Sequence, residues 1–327
     1  MSLLSAMPAP FSPPADLLDR VRMSRRPLLI AHISPDGDAI GSLLAAGSIL
    51  YHLGKDPVLA CQDTPPASLS FLPRYDRITN QVHEEVDLVI ALDSSDRERL
   101  GNIYDQGRIR SLPLVVIDHH ITNTLFGDCN WIEPRACATA EMIFDLAQAL
   151  EVTIDTQIAT CLLTGIVTDT RGFRTSSTTP RVMRIVSALM ETGADLPTIA
   201  DLALEARSTE LIQLWGRAIA TITVHQGVIS ADNTLEMRVD LGRLIRAEGL
   251  ASFLLGSRDA QIAVVFTELP DQRIECSFRA QPGQDVAAVA YAFGGGGHAL
   301  AAGCTVDGPL EAARERVLAR LYESLRR

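Results

Sequence analysis

Short, almost wholly apolar runs recur along the first half of the chain: Pro27–Ile33 (PLLIAHI), Pro57–Cys61, Asp87–Leu92 (DLVIAL) and Pro113–Ile117 (PLVVI). A strand with one wet face alternates apolar and polar residues. A continuous apolar run of this length suits a strand covered on both faces, as in a parallel sheet. Between the runs lie segments of helical pattern: Ile40–Leu53, stopped by Gly54, then Thr139–Leu150 and Thr156–Val167. Parallel strands need long crossovers, and helices supply them. The alternation predicts an α/β domain over residues 27–190, doubly wound on a largely parallel sheet.

After Thr179-Pro180 the pattern is helical to about Thr221, punctuated by Gly193 and Pro197, and residues 191–221 read as a helical connector. From Ile222 the character changes. Thr221–Ser230 and Thr234–Val239 look like a hairpin around Ala231-Asp232-Asn233. Gln261–Thr267 and Arg273–Arg279 look like a second, turning at Pro270-Asp271, and Asp285–Phe293 and Leu310–Leu325 are helical. A smaller α+β domain over 222–327 is the expectation. Residues 1–26 form a Pro-rich segment (Pro8, Pro10, Pro13, Pro14) without the basic start and apolar run of a secretory signal. The longest apolar stretch, Ala39–Leu50, is broken by Gly41, Ser42, Gly47 and Ser48. It falls short of the roughly 20 apolar residues of a spanning helix. The cysteines (Cys61, Cys129, Cys137, Cys161, Cys276, Cys304) are scattered with no C-x-x-C pair, which reads as reduced thiols. The expectation is a soluble, cytoplasmic protein with no membrane partner.

Histidine and aspartate collect where the apolar runs end. Leu28–Ile33 leads into His32-Ile33-Ser34-Pro35-Asp36-Gly37-Asp38, Leu88–Leu92 into Asp93, and Leu114–Ile117 into Asp118-His119-His120. The helix Ile158–Val167 runs into Asp169. In open α/β sheets the functional crevice lies beyond the carboxyl ends of the strands. Taken singly, Asp36 or Asp38 is a helix cap and Asp169-Thr170 a turn. Taken together, carboxylates and imidazoles from several strand ends suit a pair of divalent cations sharing one carboxylate. No cysteine lies in these motifs, which argues against structural zinc.

The motifs also carry a resemblance. H-x-x-P-D-G-D-A-x-G-S at His32–Ser42, ALDSSD at Ala91–Asp96, DHH at Asp118–His120 and TDT at Thr168–Thr170 resemble, in order and spacing, the motifs of the DHH phosphoesterase superfamily. GGGGH at Gly294–His298, followed by Ala301-Ala302-Gly303, is similar to the hallmark of its DHHA1 domain. The two-domain length resembles the NrnA-type nano-RNases, without the further domains of RecJ-type exonucleases. The resemblance implies one metal on His32, Asp36 and Asp93 and a second on Asp38, Asp93, His119 and Asp169, with Asp93 bridging. It implies that Asp118 orients an imidazole and that His120 faces the scissile phosphate. Gly295, Gly296 and Gly297, with amides free for an anion, would clamp substrate together with His298. Arg279, in a segment similar to the subfamily's S-x-R-S but with Ala280 for the second Ser, would bind a phosphate. Arg174, in Phe173-Arg174 after Asp169, is a further phosphate candidate.

With 29 basic against 40 acidic residues, a net charge of −11, the chain lacks the basic stripe of a duplex-DNA binder. At 5% aromatic it also lacks the studded groove of a single-strand binding module. The resemblance implies a phosphodiesterase, its site in the cleft between the domains, acting on short RNA (two to five nucleotides). It would also convert 3′-phosphoadenosine 5′-phosphate, a mononucleotide bisphosphate, to AMP. The cofactors would be two divalent ions, Mn²⁺ first, with Mg²⁺ or Co²⁺ as alternatives, and a homodimer is the family expectation. A cyclic di-AMP or linear dinucleotide phosphodiesterase is the enzymatic rival. A non-catalytic nucleotide sensor is the rival of another class, and the full set of acidic and imidazole residues argues against it.

Overall fold

The computed structural model describes residues 11–325 except 84, 240, 242–246 and 248. Pro8 and Pro10 lie outside the described residues. The chain divides into two units, Met1–Ala206 and Arg207–Arg327.

The first unit runs α1 (Ala15–Met23), β1 (Pro27–Ala31), α2 (Gly37–His52), β2 (Val58–Ala60), β3 (Ile78–Thr79), β4 (Leu88–Leu92), α3 (Gly101–Tyr104), β5 (Leu114–Asp118), β6 (Cys129–Ile132), α4 (Thr139–Ala149), α5 (Thr156–Asp169), α6 (Pro180–Glu191) and α7 (Leu196–Ala200). Its six strands lie in the order β3-β2-β1-β4-β5-β6, every neighbouring pair parallel. All residues of β1, β4 and β5 are buried. Leu28, Ile30, Val89 and Val116 pack on one side of the sheet, and Leu29, Ile90, Val115 and Ile117 on the other. Full burial of such a side chain contributes about 1.5–3 kcal/mol, so the apolar runs are held from both faces. The strand order reverses between β1 and β4, which puts the crevice of this doubly wound sheet at their carboxyl ends. α1 stands inside the segment read as Pro-rich: Leu17 and Val21 are buried in the same core. β3 and β6 are too short, or too mixed in polarity, to have shown in the sequence.

α2 packs directly on α5 with small residues at the crossing. A Cβ at Gly41 would meet the Cys161 carbonyl at 2.6 Å, and one at Gly165 would meet Asp38 Oδ1 at 2.6 Å.

The second unit runs α8 (Thr209–Ile219), β7 (Thr223–His225), β8 (Val228–Asn233), α9 (Leu235–Val239), α10 (Leu250–Leu254), β9 (Ile262–Glu268), β10 (Arg273–Ala280), α11 (Ala287–Ala292), β11 (Gly296–His298), β12 (Ala301–Asp307) and α12 (Leu310–Leu325). The sheet order is β11-β12-β10-β9-β8-β7, antiparallel except for β8 with β9. Along β10, Ile274, Cys276, Phe278 and Ala280 face a core shared with α11 and α12, which leaves Glu275, Ser277 and Arg279 on the opposite face.

Three expectations are corrected. The first hairpin turns at Gln226-Gly227, where φ is 48° and 79°, not at Ala231-Asp232-Asn233. Two consecutive left-handed residues match the twist of a two-residue hairpin loop. Ala231–Asn233 instead continue β8 alongside β9, and Leu235–Val239 is helical, not a strand. The 191–221 connector is divided: α7 belongs to the first unit, while Leu214 and Ala218 of α8 are buried in the second. The glycine amides are not all left free for an anion, and the run ends in a strand. Gly294 and Gly295 donate their N–H groups to Tyr291 and Ala290 carbonyls at the end of α11, and Gly296–His298 pairs with Ala301–Gly303. Their absent side chains let β11 approach β12, since a Cβ at Gly297 would lie 2.5 Å from Ala302 Cα. Among the described residues no helix is long and apolar enough to cross a membrane. All six cysteines are free and buried.

Candidate metal centre

Four segments of the first unit deliver polar side chains to the carboxyl edge of its sheet. β1 ends just before His32, and Asp36 caps the N-terminus of α2, accepting from the N–H groups of Asp38 and Ala39 at 3.1 Å. The capping reading of Asp36 thus describes one of its duties. Asp93 follows β4 directly and Asp169 ends α5. Asp93 has φ 57°, Ser34 51°, and Arg171 and Phe173 are likewise left-handed. Non-glycine residues of this kind store strain that surrounding structure must hold, and they gather at functional sites.

Among the described residues three triads have ligand atoms within 4.8 Å of one another: His32, Asp36 and Asp93; Asp38, His119 and Asp169; and Asp93, His119 and His120. Asp93 belongs to two of them. Its Oδ2 lies 3.6 Å from His32 Nε2, and its Oδ1 lies 3.6 Å from His119 Nε2 and 3.7 Å from His120 Nδ1. His119 Nε2 is also 3.5 Å from Asp169 and 4.0 Å from Asp38. The other nitrogens of these rings face protein. His119 Nδ1 lies 3.3 Å from the Ala136 carbonyl, and His32 Nδ1 lies 2.8 Å from the Ile33 carbonyl and from Arg99 Nη2. Each of the two rings therefore turns Nε2 into the cluster.

The electrostatics call for positive charge. Burial first, and then the charges of Asp93, Asp169 and Asp36, push Asp38 well above the usual carboxylate range. Burial also raises Asp169, to about 6; His119 offsets part of this, while Asp93 and Asp36 add to it. Burial would raise Asp93 too, but the neighbouring His32 imidazole and the charges of His119 and His120 hold it below its ordinary value. Crowded carboxylates that lift one another's pKa, set among imidazoles, are a donor set that fits divalent cations.

His120 is arranged differently. Its Nδ1 lies 2.7 Å from Oδ1 of the buried Asp118, whose Oδ2 accepts from Asn123 Nδ2 at 2.6 Å. Burial would lower its pKa, but the Asp118 hydrogen bond and the charge of Asp93 outweigh that and raise it to about 9. Asn123 also donates to the Ser94 carbonyl at 3.0 Å, tying the loop after β5 to the turn after β4.

Residues outside the motifs, together with Ser42 at the end of the first one, complete the site. Thr139 donates its hydroxyl to Asp93 and its N–H to Asp38, and the Ala140 N–H and Ser42 hydroxyl also reach Asp38. Asn123 and Arg99 belong with them. Only the start of α4 after the β6 turn hinted at Thr139, since donors at a helix N-terminus attract carboxylates.

The remaining candidates lie elsewhere. Arg174 is exposed, five residues past Asp169, with its Nε donating to the Arg171 carbonyl. In the second unit, strand register sets Arg279, Ala301 and His298 in one row across β10, β12 and β11, and Ser277, Gly303 and Gly296 in the next. Directly paired residues of antiparallel strands share a face. Arg279 and His298 thus share a face, with the glycines baring the backbone beside them. A cavity of about 250 Å³ on the same side is lined by Ser252, Val265, Thr267, Glu275, Ser277 and Arg279. Trp131 is buried, and Trp215 packs on Phe253 at 5.4 Å, so both serve packing.

Comparison with known proteins gives two family matches: the DHH family, N-terminal domain, at residues 27–166, and the DHHA1 domain at residues 243–326. The bifunctional oligoribonuclease and PAP phosphatase NrnA of Thermus thermophilus is 35% identical over 308 residues, covering 92% of this chain and 91% of that protein. The Bacillus subtilis protein of the same name is 28% identical, covering 90% and 93%. Among solved structures, an exopolyphosphatase-related protein from Bacteroides fragilis matches with a TM-score of 0.88 at 23% identity, covering 95% of this chain and 97% of that one, which shows a shared fold.

Proposed function

We propose, from the premise that this chain belongs to the DHH family, with a C-terminal DHHA1 domain, and is a metal-dependent phosphoesterase, that its substrates are very short oligoribonucleotides and 3′-phosphoadenosine 5′-phosphate. The observation that carries the reading is that Asp93 completes the triad with His32 and Asp36 while its Oδ1 lies 3.6 Å from His119 of the Asp38, His119 and Asp169 triad. His32, Asp36 and Asp93 would hold one divalent cation and Asp38, Asp93, His119 and Asp169 the other, with Mn²⁺, the ion the family resemblance puts first, among those that mixed carboxylate and imidazole donors accept. A pair of such cations supplies an acidified water and neutralises charge on phosphate oxygens.

The chain's own residues do the rest. Asp118, itself held by Asn123, grips His120 at Nδ1 and favours its charged form. With Nδ1 held by Asp118, His120 would supply a proton to the leaving oxygen from its other nitrogen. Arg279 offers a planar fork of N–H donors that matches a phosphate, and His298 stands in the same row. Cleavage would release 5′-mononucleotides from short RNA, and AMP plus phosphate from the bisphosphate. The names of the T. thermophilus and B. subtilis relatives support this substrate pair over the cyclic dinucleotide alternative. A cytoplasmic location fits the free thiols.

The test is Mn²⁺-dependent hydrolysis, followed by chromatography, of a diribonucleotide, a 24-mer RNA, 3′-phosphoadenosine 5′-phosphate, cyclic di-AMP and tripolyphosphate. Preferred turnover of the dinucleotide and the bisphosphate is expected; preference for cyclic di-AMP would sink the reading. Asp93→Ala should lose turnover and bound Mn²⁺ together, and near-native activity in that variant would exclude a shared carboxylate.

A further inference from the structure

Thr139 is fully buried in the first turn of α4, where it touches both halves of the candidate centre. Its hydroxyl donates to Asp93 Oδ1 at 2.9 Å, and its N–H donates to Asp38 Oδ2 at 2.6 Å. The hydroxyl matters because the two oxygens of Asp93 face different neighbours: Oδ2 looks to His32, Oδ1 to His119. A carboxylate rotates about a broad, soft terminal torsion, and rotation would turn both oxygens from their partners at once. A directed bond from a buried hydroxyl narrows that torsion. As the first residue of α4, Thr139 has no preceding helical turn to accept its hydroxyl, which crosses instead to a residue 46 positions away.

We propose that Thr139 is a positioning residue whose hydroxyl sets how Asp93 is shared between His32 and His119. This rests on the two-cation reading above. Groups that orient metal ligands typically carry 10–100-fold of metal affinity or activity.

The test compares Thr139→Val and Thr139→Ser in the full chain. Mn²⁺ binding is read by calorimetry and electron paramagnetic resonance, alongside kcat and KM on a diribonucleotide. Valine keeps the shape and the backbone donor to Asp38 but removes the hydroxyl. The expected result is about tenfold weaker binding of one of two Mn²⁺ ions and a kcat loss with KM held, both restored by serine. Should valine unfold the protein, judged by circular dichroism, Thr139→Ala takes its place. Native two-ion binding in a folded variant lacking the hydroxyl overturns the proposal. Wild-type protein that binds a single Mn²⁺ overturns the two-cation reading and the proposal together, whereas wild type with two ions and an indifferent variant overturns the proposal alone.

Discussion

At the scale of residues, the candidate centre consists of carboxylates that repel one another and imidazoles that hold them. Because Asp38 and Asp169 are raised, the ion-free folded protein binds protons that the unfolded chain would release. Their contribution to stability is fully present below the ordinary carboxylate pKa and is lost as pH rises through the folded value, about 6 for Asp169. Cations reverse this by pairing with the ionised forms. Apparent Mn²⁺ affinity should therefore fall as pH drops through about 6. Calorimetry at pH 7.5 and 5.5 checks it, and equal affinities would show that these carboxyls do not exchange protons for metal. His120 is raised too, so its contribution to stability is likewise lost as pH rises through the folded value, but here the charged form is the one favoured. Asp118 stabilises its charged form, so Asp118→Asn should draw its pKa down from about 9. Titration of the ion-free protein by NMR checks it, and an unmoved His120 would show that Asp118 does not favour its charged form.

At the scale of elements, the centre depends on how closely α2 and α5 approach. Gly165 lets the α5 backbone pass beside Asp38 and the start of α4: a Cβ there would meet Asp38 Oδ1 and Ala140 Cβ, both at 2.6 Å. Gly165→Ala should cost about 1–3 kcal/mol by overpacking and weaken Mn²⁺ binding by displacing Asp38. Urea unfolding of the ion-free protein measures the first effect and metal titration the second. A native result in both would mean that the helices separate freely. Behind the site, Arg181 of α6 pairs with Glu141 and Asp145 of α4, and Glu141 also accepts the Cys137 N–H at 2.8 Å. That buried network ties α4, and with it Thr139, to α6.

At the scale of the whole molecule, the two units carry different parts of the proposed chemistry. The first gathers the acidic residues, and the second sets Arg279 and His298 on one sheet face. Arg279→Ala should raise KM for the dinucleotide by about tenfold or more, as expected for losing a charge-assisted contact of about 1.5–3 kcal/mol. Mn²⁺ stoichiometry should not change. A metal defect in that variant would show that the division of labour is wrong. A net charge of −11 also predicts that a 24-mer RNA competes poorly with the short substrates.

Much of this was legible in the sequence because it rests on local rules. Runs buried on both faces must be apolar throughout, so β1, β4 and β5 announced themselves, and with them the His and Asp residues at their ends. The second β-hairpin and α12 followed from period and turn residues in the same way. What only the tertiary structure decided depends on partners distant in the chain. Pairing with β9 turned Ala231–Asn233 from a loop into strand, and close passage over β12 made Gly296–His298 an edge strand. Thr139, Asn123 and Arg99 carry no motif of their own. Their part in the site arises from hydrogen bonds to Asp93, Asp118 and His32, formed where separate segments meet at one sheet edge. Spacing along a chain records period and capping; it does not record which distant donor a buried carboxylate finds.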